Sequence, residues 1–388
     1  MWYFVSPQVI YGEDALSHLS QLKGRAAFIV TDKNMVNLGF IDKVKEQLSQ
    51  AGIESTVFDE VEPDPSLQTV RKGTALMRQY EPDWVMAVGG GSVMDAAKAM
   101  RVEYERPDIK AGEINPFISD LGLGAKCKLV CIPTTSGTGA EATWAVVLTD
   151  TEAQRKLSLG CREVTPEIAI VDPAFAAAMP PQITADTAMD ALTHAVEGFT
   201  STFKNDFSDG LCLRAIQLIF QYLPRAYKDG QDMEAREKMH NAATIAGIGF
   251  INSLAALAHS TGHAIGGVFH TPHGRAVGLF LPYTIEYIGD AREELWAEIA
   301  YALKLEVPKG KKAASVLAQA IRGLAGSVKQ PLSLKEAGIP SDRFNSSMGK
   351  LIDNTVADAS LISTVRIPSE AETEKLLRYA YEGKSIDF

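Results

Sequence analysis

Cysteine is scarce in this chain of 388 residues. Cys127, Cys131, Cys161 and Cys212 are the only four. They lack both the density of a disulfide scaffold and the C-x-x-C spacing of a zinc or redox motif, which fits a reducing cytosol. Basic patches are missing as well. Lys and Arg number 38 against 48 Asp and Glu, for a formal net charge of −10, and no window concentrates the cations. Phosphate backbones need such a cluster, so nucleic acid is disfavoured and a small-molecule partner is expected. No apolar run approaches the roughly 20 residues that span a bilayer. The opening MWYFVSPQVIYG has no basic stretch leading into a long apolar core, as a secretory leader would. The expected location is therefore the cytoplasm, with no membrane partner. Internal repeats and low-complexity tracts are absent too.

What remains is a globular composition, 46% hydrophobic and 22% charged, with length enough for two or three domains. The first 180 or so residues alternate short Val- and Ile-rich runs with amphipathic stretches. AAFIVTD (26–32), STVFDEV (55–61), WVMAVGG (84–90), KLVCIPTT (128–135) and EIAIVD (167–172) read as strands. The segments 34–52 and 66–80, between the first three, have helical spacing. Strands alternating with helices imply a parallel sheet covered on both faces. Residues 142–160 differ: two β-rich halves around Asp-Thr-Glu predict an inserted hairpin. After MPPQIT (179–184) nearly every segment is helical, so the division is expected near 178–186, giving domains 1–182 and 183–388.

The chemistry concentrates in three places. VMAVGGGSVMDAAKAM sets three glycines between a strand and a helix, with Ser92 as the expected N-cap. Outward-pointing amides and missing side chains there suit a phosphate, although a tight turn that binds nothing has the same sequence. IPTTSGTGAE (132–141) adds a row of hydroxyls after another strand. Asp32, at the end of the first of these strands, is placed to accept from a ribose diol and to repel a 2′-phosphate, which favours NAD over NADP. In the helical half, Asp190 and His194 are four apart, as are His259 and His263, so each pair shares a helix face. His273 follows after a glycine-bearing turn. One carboxylate with several imidazoles is the donor set of a first-row divalent metal. Spacing does not decide whether His259 or His263 is the ligand and which the proton relay.

GGGSVMDAAK, IPTTSGTGAE, AMDALTHAVE and AHSTGHAIGGVFHTPHG, in this order, resemble the signature segments of the iron-containing (group III) alcohol dehydrogenases. MRVEYERPD and MHNAATIAGIGFIN are most similar to the alcohol dehydrogenase half of the bifunctional aldehyde/alcohol dehydrogenases. The resemblance covers nearly the whole chain. It implies a Rossmann-like N-terminal domain and an all-α metal-binding domain, a dehydroquinate synthase-like architecture with the site in the cleft between them. It also implies hydride transfer between NAD(H) and a small alcohol or aldehyde in a homo-oligomer. The family pattern puts ferrous iron, with zinc accepted by the same donors, on Asp190, His194, His259 and His273. His263 then becomes the proton-handling histidine. Cofactor contacts map to Gly90, Gly91, Ser92, Thr134, Thr135 and Thr138, with Asp32 on the ribose and Lys156 reaching the cofactor.

Two positions depart from the family. The usual Asn-Pro-Arg near the C-terminus is Thr364-Val365-Arg366, and Ala145 beside Trp144 stands where some relatives carry Asn. His270 is expected to touch nicotinamide or substrate, or simply to face solvent. His18 and His240 are read as surface or packing residues, and Phe250 as a pocket wall or a core residue. The competing readings are a zinc-dependent glycerol dehydrogenase-like enzyme, a dehydroquinate synthase-like cyclase and a non-catalytic metal-binding module. The cyclase needs cations for an anionic substrate, whereas the ligand-bearing segments offer only Arg275. The module would not need the glycine and threonine loops.

Overall fold

The computed structural model describes residues 3–115, 121–153 and 155–388. Met1 and Trp2 of the opening stretch, and Gln154 of the expected hairpin, lie outside the described residues. The chain divides into two compact units, Met1–Met179 and Pro180–Phe388.

In the first unit six strands form one sheet: β1 (Gln8–Tyr11), β2 (Ala26–Val30), β3 (Glu54–Phe58), β4 (Trp84–Gly89), β5 (Lys128–Pro133) and β8 (Ile168–Val171). Their order is β1-β8-β5-β4-β2-β3 and every pairing is parallel. Alternate residues go to opposite faces. Phe28, Val30, Val85 and Ala87 pack on one side, while Ala27, Ile29, Met86 and Val88 pack on the other. Helices α1 (Lys33–Asn37), α2 (Phe40–Gln50), α3 (Leu67–Tyr80), α4 (Gly91–Glu105) and the single turn α5 (Pro173–Ala176) complete the unit. With both faces covered, β2 and β4 are buried along their whole length, so they read as continuous apolar runs.

Three local expectations change. The helix read over 34–52 is broken at Leu38-Gly39, where Gly39 turns left-handed at φ 74°. Strand β1 has no counterpart in the sequence reading, because QVIY is short and its register is set only by β8, far along the chain. Ser92 is not the N-cap of α4. Gly90 holds that place in extended conformation, and Ser92 lies in the first turn. The expected hairpin is present as β6 (Ala145–Asp150) antiparallel to β7 (Arg155–Gly160), held to α4 by a hydrogen bond from Val147 N–H to the Asp95 carboxylate at 3.0 Å.

The second unit is helical throughout. It comprises α6 (Pro181–Thr200), α7 (Asp206–Lys228), α8 (Met233–Ile251), α9 (Leu257–Phe269), α10 (His273–Ile288), α11 (Glu293–Ala302), α12 (Ala313–Ser327), α13 (Ser341–Ser346), α14 (Met348–Ala357) and α15 (Glu370–Glu382). Helix α6 runs through the centre and is buried on nearly every side. A helix apolar all round belongs in a core, so its buried Asp190, His194 and Glu197 each require a partner or a ligand. No helix among the described residues is long and apolar enough to cross a membrane.

Candidate functional site

Three helices bring the metal-ligand candidates together. Asp190 and His194 sit one turn apart on α6, His259 lies in the first turn of α9, and His273 opens α10. One donor atom from each lies within 4.8 Å of all the others. Asp190 Oδ1 is 3.8 Å from His194 Nε2, 3.9 Å from His259 Nε2 and 3.3 Å from His273 Nε2. A four-coordinate ion with bonds of roughly 2.0–2.1 Å fits between donors spaced about this far apart. Asp190 Oδ1 and His259 Nε2 are also buried with no hydrogen-bond partner. Orphaned polar atoms that face one another at a protein core are costly unless one cation binds both. The donor set therefore fits a divalent cation.

Electrostatics prepare the same set. Burial alone would push the Asp190 carboxyl up, but the surrounding imidazoles outweigh it and hold Asp190 below the usual carboxylate range. His194 goes the other way: burial and the neighbouring imidazoles push it down to about 3, against the pull of Asp190. An ionised carboxylate beside a neutral imidazole is the protonation state a metal requires. Burial would lower His259 too, yet Glu197 outweighs it and raises its proton affinity.

Glu197 is a functional residue that the sequence reading missed. It follows Asp190 and His194 on the same face of α6, and its Oε2 lies 2.5 Å from His259 Nδ1. Its two oxygens also accept the amides of Ala256 and Ala258 at 2.8 and 2.5 Å, closing the N-terminus of α9. One carboxylate thus places the helix and turns its histidine so that Nε2 faces the other donors. The spacing along α6 was visible, but the partner is on α9. His194 is held differently, with Phe250 lying flat against its ring at 3.9 Å and 8°.

The remaining histidines separate. His263 stays beside the cluster, its ring centroid 5.2 Å from that of His273 and 5.8 Å from that of His259, with Nδ1 2.8 Å from Asp358 Oδ2. His270 is exposed and ends α9 in the left-handed region at φ 57°. His240 is buried in α8 and His18 is half-buried. Arg275 makes paired 3.0 Å hydrogen bonds to Asp186. Of the departing triplet, Thr364 is buried, and Arg366 donates to the Tyr287 carbonyl at 2.7 Å and pairs with Glu372 at 2.7 Å.

In the other unit, β5, β4 and β2 are neighbours, so their C-terminal ends line up and carry the threonine loop, the glycine turn and Asp32. Thr134 N–H bonds to Gly89 O at 3.1 Å, tying the first two together. In α4 the amides of Val93 and Met94 are the first to bond back, both to Gly90 O, so those of Gly91 and Ser92 precede the ladder. A β-carbon on Gly91 would come within 3.0 Å of Thr138 Cγ2, so only glycine lets the loops approach this closely. Thr135 lies across from Gly90, 3.5 Å from where a β-carbon would stand. Together these features set unladdered amides and threonine hydroxyls at one cluster of strand ends, donor types that suit an anion. Asp32 Oδ1 accepts the Asn34 and Met35 amides at 2.7 and 3.2 Å and so caps α1. Lys156 projects from β7 and pairs with Asp64 at 2.7 Å, both well exposed. Lys98, the last residue of GGGSVMDAAK, is fully buried and reaches the Ala145 carbonyl at 3.0 Å, which binds the hairpin to α4.

Family models described as "Iron-containing alcohol dehydrogenase" and "Fe-containing alcohol dehydrogenase family, C-terminal" match residues 6–173 and 184–381. The chain is 39% identical to the NADPH-dependent butanol dehydrogenase of Clostridium saccharobutylicum over the full length of both. It is 36% identical to the aldehyde-alcohol dehydrogenase 2 of Entamoeba histolytica over 98% of its own length, spanning 46% of that longer protein. Among solved structures, a 1,3-propanediol oxidoreductase is similar with a TM-score of 0.91 and 31% identity, covering 98% of this chain and all of the other. The sulfoacetaldehyde reductase of Bifidobacterium kashiwanohense in complex with NAD+ is similar at 0.87 and 27%, covering 98% of each.

Proposed function

This chain belongs to the iron-containing alcohol dehydrogenase family, and from that premise we propose that it interconverts a small primary alcohol and its aldehyde using a nicotinamide dinucleotide. In this reading Asp190, His194, His259 and His273 hold a ferrous ion, or zinc, which the same donors accept. Bound there, such an ion supplies Lewis acidity that lowers the pKa of an alcohol or polarises a carbonyl. The observation that carries the proposal is the pair of buried, unpartnered donors, Asp190 Oδ1 and His259 Nε2, that face the same point.

The protein's own groups do the rest. Asp190 provides the fixed negative charge, Glu197 keeps the proton on His259 Nδ1, and the stacked Phe250 holds the ring of His194. His263 would take the hydroxyl proton and pass it to solvent, and a bound nicotinamide would accept the hydride from the alcohol carbon. Gly90, Gly91 and Ser92 would hold the pyrophosphate, with Thr134, Thr135 and Thr138 as further cofactor contacts, and Lys156, paired here with Asp64, would also serve the cofactor. Because Arg275 is engaged by Asp186, it is not offered to an anionic substrate, which disfavours the cyclase. The four free, buried cysteines suit a cytosolic enzyme, and a homo-oligomer is inferred by analogy with the family.

Asp32 favours NAD over NADP through its charge. NADPH is the second reading, supported by the name of the butanol dehydrogenase and by the commitment of Asp32 Oδ1 to capping amides. One assay tests the whole. Metal-stripped protein is given butyraldehyde and NADH or NADPH, with and without ferrous ion, and the 340 nm band is followed. Consumption of NADH that requires the ion is expected. Activity indifferent to metal would overturn the metal assignment, and a higher kcat/KM with NADPH would reverse the cofactor preference.

A further inference from the structure

Asp358 lies 95 residues beyond His263 and belongs to none of the motifs. It caps the 3-10 turn Ala359–Ser363 just after α14, its Oδ1 accepting the Ser360 amide at 2.9 Å. Its Oδ2 meets His263 Nδ1 at 2.8 Å, and its side chain is only 15% exposed. Both carboxylate oxygens are therefore engaged, and the group cannot swing.

We propose that Asp358 is a positioning residue for the reaction: it fixes the ring of His263 and its tautomer, with the proton on Nδ1 and the lone pair on Nε2. An ionised carboxylate only accepts hydrogen bonds, so the nitrogen facing it must carry the hydrogen. In a neutral imidazole the other nitrogen is then the acceptor. Burial would raise Asp358, but the hydrogen bonds it accepts from His263 and Ser360 hold it below the usual carboxylate range. It thus stays ionised at any working pH. The ring of His263 is stacked at 23° on that of His273. Without Asp358 it could rotate about χ2 or exchange tautomers, presenting N–H where a base is needed. The inference rests on the reading of His263 as the group that takes the hydroxyl proton.

The alternative is that Asp358 only caps its turn. Asp358→Asn separates the two roles. The Asn oxygen can still accept from Ser360, while its amide turned toward the ring donates to Nδ1 and drives the proton to Nε2. A similar Asp-to-Asn change in serine proteases traps the wrong tautomer, as is well established. Long-range proton–nitrogen spectra of the full, metal-free chain labelled with 15N-histidine read the tautomer directly, with His263→Gln assigning the signal. The expected result is Nδ1–H in the wild type and Nε2–H in Asp358→Asn. In the metal-loaded enzyme kcat for the oxidation of 1-butanol should fall about 100-fold, on the order of what one general base contributes, with KM and thermal midpoint little changed. A wild-type His263 found as Nε2–H overturns the proposal without recourse to any variant. So does an Asp358→Asn enzyme that keeps its tautomer or turns over within twofold of wild type. Turnover of His263→Gln tests the underlying reading separately. Wild-type turnover there removes His263 from the reaction even if Asp358 holds the ring as described.

Discussion

Glu197 is buried among apolar residues of α6 with its whole charge directed at α9, at His259 and at two backbone amides. Replacing it with Gln keeps the volume but removes the charge and one acceptor. Outer partners of a ligating histidine are typically worth 10–100-fold in metal affinity, and a loss of about that size is expected for Glu197→Gln. Competition between the protein and a zinc chelator measures it. An unchanged affinity would show that the His259 ring is held by packing alone. Much at this scale was legible in the sequence: Asp190, His194, His259, His263 and His273 all attract attention as donors at helical spacing. Glu197 and Asp358 did not, because a carboxylate shows no purpose until the residue it touches, tens of positions away, has been brought to it; Phe250 is readable as a pocket wall or core residue, but not as the ring stacked on His194.

Elements explain why the donors converge. Two glycines of the histidine segment, Gly262 and Gly274, lie where helices touch. A β-carbon on Gly274 would overlap the Asp186 carbonyl oxygen and come within 3.0 Å of Asp190 Cβ, so α10 rests on α6 at that point. Gly262 of α9 meets Val277 of α10 in the same way, at 2.6 Å from Cγ1. Gly274→Ala is therefore expected to push the start of α10, with His273, away from Asp190. Forcing extra volume into such a contact costs about 1–3 kcal/mol, and the displacement should also weaken metal binding. Urea unfolding and a cobalt titration check both effects, and wild-type behaviour in each would show that the helices can shift at no cost. The parallel strands and the hairpin were visible for a simpler reason. Their patterns are local, and a strand covered on both faces is apolar throughout. The break at Gly39 and strand β1 were not visible. Leu38-Gly39 interrupts a periodic run without disturbing its composition, and β1 is defined only by pairing with β8.

For the whole molecule, the four donors all belong to the unit Pro180–Phe388, and the strand-end loops all belong to the unit Met1–Met179. Metal should therefore stabilise the helical unit. A ligand present at 100 times its Kd contributes about 2.7 kcal/mol. Calorimetry with and without chelator should show a rise of a few degrees in the transition of that unit, and Asp190→Ala should abolish it. The sign of the pH dependence follows from His259. Glu197 raises its proton affinity, so protons compete with metal for it. The gain should be fully present above the raised pKa of His259 and shrink as the pH falls through it. A gain that grew on acidification would contradict this assignment of ligands.

The sequence by itself determined what is periodic or chemical: the βα alternation, the helical second half, the glycine and threonine turns, and an inventory of metal donors already paired on helix faces. Such features need only neighbours along the chain. The tertiary structure decided that His259 turns to Asp190 while His263 turns to Asp358, that Arg275 is spent on Asp186, and that Lys98 anchors a hairpin. Those outcomes depend on contacts between residues far apart in sequence, where burial forces each polar group to find a partner and only the packed helices determine which one is within reach.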